Sequence, residues 1–72
     1  MGFINEDVII DFEFPVKVDD LIENCEKFSK EDNYGAYEAW ASFFVYTVCK
    51  NMYAAGEITK KQWETVERRY EL

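Results

Sequence analysis

Pairs of carboxylates are the first residues in this chain whose types and spacing could do chemistry. Asp11 lies two residues before Glu13, and Asp19 is followed directly by Asp20. Two carboxyl groups can act as general acid and general base when a desolvated cleft separates their pKa values. A chain of 72 residues has little room for such a cleft, because a domain of this size buries only about 60% of its unfolded surface. We therefore expect both pairs to be solvated surface acids.

Nucleophilic and metal chemistry are the next possibilities, and the composition argues against both. Cys25 and Cys49 are the only thiols, and the chain contains no histidine. A thiol or hydroxyl nucleophile most often relies on a histidine, and a structural zinc site usually has four cysteine or histidine ligands. Cys25 also falls on the apolar face of a predicted helix, which favours a core residue over a reactive thiol. The sequence predicts a protein that is not an enzyme and has no metal or cofactor.

A calcium loop is worth testing because residues 31–35 are acidic and end in a glycine. Aligning Gly35 with the sixth position of an EF-hand loop places Lys30 at the first position and Ala41 at the twelfth. Both positions require oxygen ligands, so the match fails. The three glycines are isolated from one another, so a glycine-rich phosphate loop is excluded as well.

The charge is distributed unevenly along the chain. The net charge is −7; residues 1–38 carry eleven acids and three bases, whereas residues 39–72 carry four acids and five bases. An acidic half repels nucleic acids and anionic membranes and favours basic protein surfaces. The aromatic residues do not change this expectation, because stacking platforms for nucleic acids work beside a positively charged groove. The predicted partner-binding acids are Asp7, Asp11, Glu13, Asp19, Asp20, Glu23, Glu26, Glu31 and Asp32.

The elements that would position these acids begin with a predicted strand over residues 8–14. Its β-branched start and the alternation of apolar and acidic residues are typical of a half-buried strand. Pro15 ends it, because proline cannot donate a hydrogen bond to a sheet. Phe3 and Ile4 could supply a short partner strand, which would make a hairpin.

A first helix is predicted from about Asp20 to Lys30. Asp20 with Glu23 three residues later resembles a capping box, and both acids suit the positive end of a helix dipole. The residues that share its apolar face are Leu21, Ile22, Cys25 and Phe28.

A long central helix is predicted from Tyr34 or Ala36 to Ala55, followed by Gly56 as a left-handed C-terminal cap. Its core stripe, with Trp40 and Val45 at the edges, consists of Tyr37, Ala41, Phe44, Val48, Met52 and Ala55. Aromatic residues also occupy the opposite face, which an ordinary surface helix keeps polar. These second-face residues are Phe43, Tyr46 and Tyr53.

The last helix has the clearest start signal in the chain. Thr59 and Gln62 form a capping box, and Ile58 and Trp63 occupy the positions of a hydrophobic staple. The elements together predict a single domain over residues 1–72 of the α+β class: a short N-terminal strand or hairpin followed by three helices packed around the central one. The alternative is a helical bundle with an extended N-terminal arm.

The same sequence predicts a cytoplasmic protein with free thiols, because the N-terminus carries acids where a secretory signal would carry positive charge. Its longest uncharged run, residues 39–49, has 11 residues, about half of the roughly 20 needed to span a bilayer. No membrane association is expected.

In size, acidity, aromatic content and the compact Gly56–Thr59 helix junction, the chain resembles the small acidic proteins of phages and mobile elements, among them anti-CRISPR proteins. This resemblance implies an inhibitor of DNA-handling machinery. It includes no diagnostic motif, so it carries no residue roles with it.

Two functional hypotheses follow. In the first, the acids act as a decoy that mimics nucleic acid and inhibits a basic, nucleic-acid-handling protein, because carboxylates can engage the Arg and Lys donors that bind phosphate. In the second, Phe43, Tyr46 and Tyr53 form the interface of a structural or regulatory homodimer, since tyrosines and exposed aromatic patches are common at interfaces. The second copy would also pair with the strand at residues 8–14.

Overall fold

The computed structural model describes residues 2–71, and its architecture is entirely helical. Helix α1 spans Asp19–Lys30, α2 spans Tyr34–Phe43, a π-helical segment spans Phe44–Val48, α3 spans Cys49–Ala54 and α4 spans Lys60–Arg69. The second, third and fourth of these elements follow one another without a break. They form one central helix over residues 34–54, against which α1 and α4 pack.

The predicted α+β class is wrong, because residues 2–71 contain no strand and no sheet. Residues 2–18, the N-terminal arm, lie over the helices as an irregular segment with bends and a turn. Its side chains still alternate as predicted, with Ile10, Phe12 and Phe14 partly buried against the core and the acids between them exposed. The alternation of apolar and acidic residues therefore identified a segment with one buried side. Helices, and not a second strand, cover that side. The alternative prediction, a helical bundle with an extended arm, describes this arrangement.

Three hydrogen bonds join the arm to the helices, beside the packing of its apolar side chains. The Phe3 N–H donates to the buried Ser29 Oγ at 2.7 Å, and the Asn5 N–H donates to the Arg69 carbonyl oxygen at 2.8 Å. Arg69 Nη1 in turn donates to the Val8 carbonyl oxygen at 2.7 Å. Backbone groups of the arm are thus hydrogen-bonded to the Ser29 and Arg69 side chains and to the Arg69 carbonyl oxygen. These bonds stand in place of sheet hydrogen bonds that a strand would have made.

Helix α1 begins one residue earlier than predicted and without the expected capping box. Its N-cap is Val18, which makes no side-chain cap hydrogen bond, so Asp20 lies inside the first turn. Asp20 therefore interacts favourably with the helix dipole but does not cap an N–H group.

After α1, Asp32 takes a left-handed backbone with φ of 57°, and Asn33 Oδ1 caps α2 by accepting from the Ala36 N–H.

The central helix changes pitch at the π-helical segment, and this moves its buried face. The fully buried residues of this helix are Tyr37, Ala41, Phe44, Val45 and Cys49, with Met52 nearly so. The Cys49 N–H donates to the Phe44 carbonyl oxygen, five residues earlier, so Cys49 takes the core position that a regular α-helix would give to Val48. Val48 is only partly buried and Ala55 is exposed.

The end of the central helix and the start of α4 follow the prediction closely. Gly56 has a φ of +75°, as a left-handed C-terminal cap requires. Thr59 accepts from the Gln62 N–H, and the Gln62 side chain accepts from the Thr59 N–H, so the capping box is complete. Trp63 Nε1 donates to the Val45 carbonyl oxygen at 2.9 Å, which joins α4 to the π-helical segment.

Candidate protein-binding surface

The nine predicted partner-binding acids remain largely at the surface. Eight of them are exposed, and only Glu26 is partly buried. Glu26 Oε1 lies 3.9 Å from Arg69 Nη2, which is the only ion pair within residues 2–71. The other eight carboxylates therefore present their charge to solvent, where a partner could meet it.

An open cleft of 690 Å³ between the arm, α1 and the end of α4 connects three of these acids. Glu13, Asp19 and Glu26 line it together with the cations Lys17 and Arg69. The rest of the lining is mainly apolar and comes from the arm, from Ile22 and from Tyr70. Arg69 interacts with the Glu26 carboxylate and with the Val8 carbonyl oxygen, so its charge is already paired within the protein.

A second groove runs along α1, and its charge is mixed. Glu23, Glu26 and Glu31 line it beside Lys27 and Lys30. These lysines share a helix face with the acids because residues three and four apart are neighbours on a helix. Glu26 lines both the cleft and this groove, and cations stand among the acids in each of them. The acids Asp7, Asp11, Asp20 and Asp32 line neither this groove nor the cleft.

The three residues predicted for the aromatic face have two different environments. The side chains of Phe43 and Tyr46 are 48% and 47% exposed. Tyr53 is 39% exposed, but its ring packs against Trp63 with 5.3 Å between the centroids. Tyr53 therefore belongs to the packing of α3 on α4, whereas Phe43 and Tyr46 face solvent.

Trp40 belongs with Phe43 and Tyr46, although the sequence pattern placed it at the edge of the core. Its side chain is 37% exposed. It lies three residues before Phe43 on the same helix, and residues at this spacing are neighbours. That spacing is the signal that could have identified it. Trp40, Phe43 and Tyr46 together are called the aromatic ridge below.

Carboxylates lie at both edges of the aromatic ridge. Asp20 and Glu23 of α1 share a groove with Trp40, together with Asn24 and Lys27. At the other edge, partial desolvation raises the pKa of the Tyr46 hydroxyl, and the neighbouring Glu67 carboxylate of α4 raises this pKa further. The ridge thus has carboxylates at both edges, with Lys27 beside those at the Trp40 edge.

The two cysteines lie in the core, away from this surface. Both are free and fully buried. Burial, with a smaller contribution from Glu26, raises the pKa of Cys25 to about 11, and burial raises the pKa of Cys49 to about 12. The thiolate is the reactive form of cysteine, so these thiols are structural in the folded protein.

Residues 2–71 contain no group of three or more cysteine, aspartate or glutamate side chains arranged to hold a metal ion. The helices of this segment include none that is long and apolar enough to cross a membrane. Comparison of the chain with protein-family models, with curated proteins and with solved structures found no match.

Proposed function

We propose that this protein is a binding module that engages a basic surface of a nucleic-acid-handling protein and inhibits it as an acidic decoy. The observation that supports the proposal most strongly is that eight of the nine predicted partner-binding acids are exposed. Only Glu26, the ninth, is in an ion pair within residues 2–71. Unpaired carboxylates on a protein surface attract Lys and Arg and accept charge-assisted hydrogen bonds from them.

The proposed setting is the cytoplasm. Both cysteines are free thiols, which suits a reducing compartment. The partner would be a protein with a phosphate-binding surface, since carboxylates occupy such sites by engaging the same cationic donors.

The experiment that tests this proposal is affinity capture from a nuclease-treated lysate of the source cell at low and high salt, with mass spectrometry of the bound proteins. The test variant is E13Q/E31Q, which removes two exposed carboxylates of the acidic surface outside the aromatic ridge. The matched control is E57Q/E64Q, which removes two exposed carboxylates from the other half of the chain.

We expect a basic nucleic-acid-handling protein to be captured at low salt and lost at high salt, because exposed charges are screened within about 10 Å at 0.1 M. E13Q/E31Q should capture less of it than E57Q/E64Q. Equal capture by both variants, or capture that does not depend on salt, would overturn the decoy proposal.

A homodimer through the aromatic face is the competing proposal, and the exposure of Phe43 and Tyr46 favours it. Its second premise, a strand that a second copy would pair with, no longer applies to the described residues. Sedimentation at low and high salt separates the two proposals. A dimer that persists at high salt and is lost in the Phe43→Ala variant would support the homodimer, and a monomer at both salt concentrations would exclude it.

A further inference from the structure

The aromatic ridge is an exposed part of the central helix, away from the buried face of that helix. On one side of the central helix, Tyr37, Phe44 and Cys49 have no exposed surface. On the other side, Trp40, Phe43 and Tyr46 expose between 37% and 48% of theirs. The three residues follow one another at three-residue spacing, which makes neighbours on a helix, and apolar patches rimmed by polar residues are typical of interaction sites.

The size of the ridge fits a short helical or extended segment of a partner. Trp40 and Tyr46 are six residues apart along the helix, which corresponds to about 9 Å at 1.5 Å per residue. This length accommodates two or three apolar side chains of a docked segment. Tryptophan and tyrosine are also the residues most often found at the energetic centre of interfaces.

The charges around the ridge specify the chemistry of the occupant. Asp20 and Glu23 lie beside Trp40, and Glu67 lies beside Tyr46. Two lysines also belong to the surroundings: Lys27 lines the Trp40 groove, and Lys50 is exposed on the central helix. Carboxylates thus occupy both edges, and an exposed indole is the best side-chain partner for a cation over its face.

We infer that the aromatic ridge docks a cationic amphipathic segment of the partner protein, with apolar side chains on the ridge and Lys or Arg side chains against Asp20, Glu23 and Glu67. This inference rests on the proposed function and names the part of the surface that would supply affinity. The exposed acids attract the basic partner over distance, and the ridge holds it in place by burying apolar area.

A second copy of the chain is the poorer occupant. Each copy carries a net charge of −7, and two facing ridges would bring the carboxylates of both edges towards one another. Like charges brought together across an interface oppose association. A cationic segment is instead attracted to the same carboxylates.

The test uses the full chain and a synthetic peptide of leucine and lysine whose leucines share one helix face. NMR follows the indole N–H signals of the two tryptophans, which a Trp40→Phe variant assigns. Trp63 is the internal reference, because its indole is hydrogen-bonded to the Val45 carbonyl inside the protein. We expect the Trp40 signal to shift on titration and the Trp63 signal to stay in place.

Two peptides and three variants complete the design. A Gln/Lys peptide keeps the charge without the apolar face, and a Leu/Glu peptide keeps the apolar face with the opposite charge. The variants Trp40→Ala and Phe43→Ala remove parts of the ridge. Ile9→Ala is the matched control, because Ile9 is an apolar residue of the arm that is 66% exposed. Circular dichroism checks that each variant is folded.

We expect either ridge variant to weaken binding of the Leu/Lys peptide about tenfold or more, as loss of an interface anchor does, and Ile9→Ala to bind like wild type. The Gln/Lys peptide should bind about tenfold more weakly, and the Leu/Glu peptide should leave the Trp40 signal in place. Because Phe43 is half exposed, its variant keeps the inference testable if Trp40→Ala fails to fold.

The outcomes distinguish this inference from the proposed function. Equal binding of the Leu/Lys and Gln/Lys peptides, unaffected by the ridge variants, would overturn the ridge as a docking site and leave the decoy proposal standing. Binding of the Leu/Glu peptide as tight as that of the Leu/Lys peptide would overturn both. A Trp40 signal that moves with protein concentration alone would show that a second copy occupies the ridge and would also overturn the inference.

Discussion

The two faces of the central helix carry similar residues and have opposite environments. One face places Tyr37, Phe44 and Cys49 in the core without exposed surface, whereas the other leaves Phe43 and Tyr46 about half exposed. Hydrophobicity alone therefore does not explain which face is buried. The difference lies in the neighbours: the arm, α1 and α4 pack around the first face, and the second face meets only the edges of α1 and α4. A face that is apolar and left uncovered is available to a partner.

Phe43 and Phe44 are neighbours in sequence but lie on different faces of the central helix, so they should contribute unequally to the stability of the fold. Phe44 contacts the rings of Phe14 and Tyr70, with centroids 5.6 and 5.5 Å away. We expect Phe44→Ala to lower the free energy of unfolding by about 3–5 kcal/mol, because it leaves a cavity in the core. Phe43→Ala should change it by less than about 1 kcal/mol. Denaturant unfolding of both variants measures the difference, and similar losses would contradict the assignment of faces.

The two tryptophans should also contribute unequally to the free energy of unfolding, but with a smaller difference than the two phenylalanines. Trp63→Phe removes the indole N–H that bonds to the Val45 carbonyl oxygen. We expect a loss of about 1–3 kcal/mol in the free energy of unfolding, because a partly buried acceptor loses its donor. Trp40→Phe is the control and should change the stability by about 0.5 kcal/mol or less, as surface substitutions usually do. A larger loss for Trp40→Phe than for Trp63→Phe would reverse our view of the two sites.

The stability at alkaline pH reports largely on the buried face, where burial raises the pKa values of both thiols and of the Tyr37 and Tyr70 hydroxyls. The pKa of Tyr46 on the aromatic ridge is raised as well. Burial raises the pKa values of Cys25 and Cys49 to about 11 and about 12 from 9.0. The unfolded chain therefore loses thiol protons first, so the stability is fully present below pH 9 and falls as pH rises towards 11–12. At about pH 10 we expect a loss of about 1 kcal/mol for each thiol. Unfolding curves at pH 7 and about 10 measure it.

A Cys49→Ala variant is the control for this pH effect. It should be less stable at neutral pH, but its loss of stability at about pH 10 should be smaller than that of the wild type by about 1 kcal/mol, the share of one thiol. An unchanged alkaline loss would mean that other groups cause it. Thiol-reactive dyes should label both cysteines in denaturant and neither of them in the folded protein at neutral pH.

The smallest effect on stability is expected for a substitution of Glu23, which lies beside the aromatic ridge. Glu23 is exposed and takes part in no ion pair within the described chain. We expect Glu23→Gln to change the free energy of unfolding by less than about 0.5 kcal/mol, while weakening binding of the Leu/Lys peptide. A folding defect of more than about 1 kcal/mol would indicate that Glu23 serves the fold and not a partner.

Local signals in the sequence predicted the C-terminal half of the fold better than the N-terminal half. The capping box of Thr59 and Gln62 and the left-handed Gly56 depend only on neighbouring residues, and both are present as predicted. The strand at residues 8–14 was wrong because a strand depends on a partner elsewhere in the chain, and helices cover this segment instead. Val48, expected in the core stripe, is only partly buried against the core, because the π-helical segment, which has no clear sequence signature, gives the central position to Cys49.

The candidate site was predictable in its composition and less so in its arrangement. Exposure of Phe43 and Tyr46 agrees with their position on the second face of the helix, whereas Tyr53 packs on Trp63, a contact made between elements. Trp40 was assigned to the edge of the core because helical periodicity alone does not show where a neighbouring helix ends. The lysines among the α1 acids, by contrast, could have been recognised from their spacing, since Lys27 lies four residues after Glu23.

The most direct test of the central claim is the affinity of the Leu/Lys peptide over a series of salt concentrations, for wild type, Trp40→Ala and Glu23→Gln. The claim is that the acids attract a basic partner and the aromatic ridge anchors it. It predicts that Glu23→Gln makes the affinity less dependent on salt, and that Trp40→Ala lowers the affinity about equally at every concentration. Wild-type affinity in Trp40→Ala, or an unchanged salt dependence in Glu23→Gln, would contradict it.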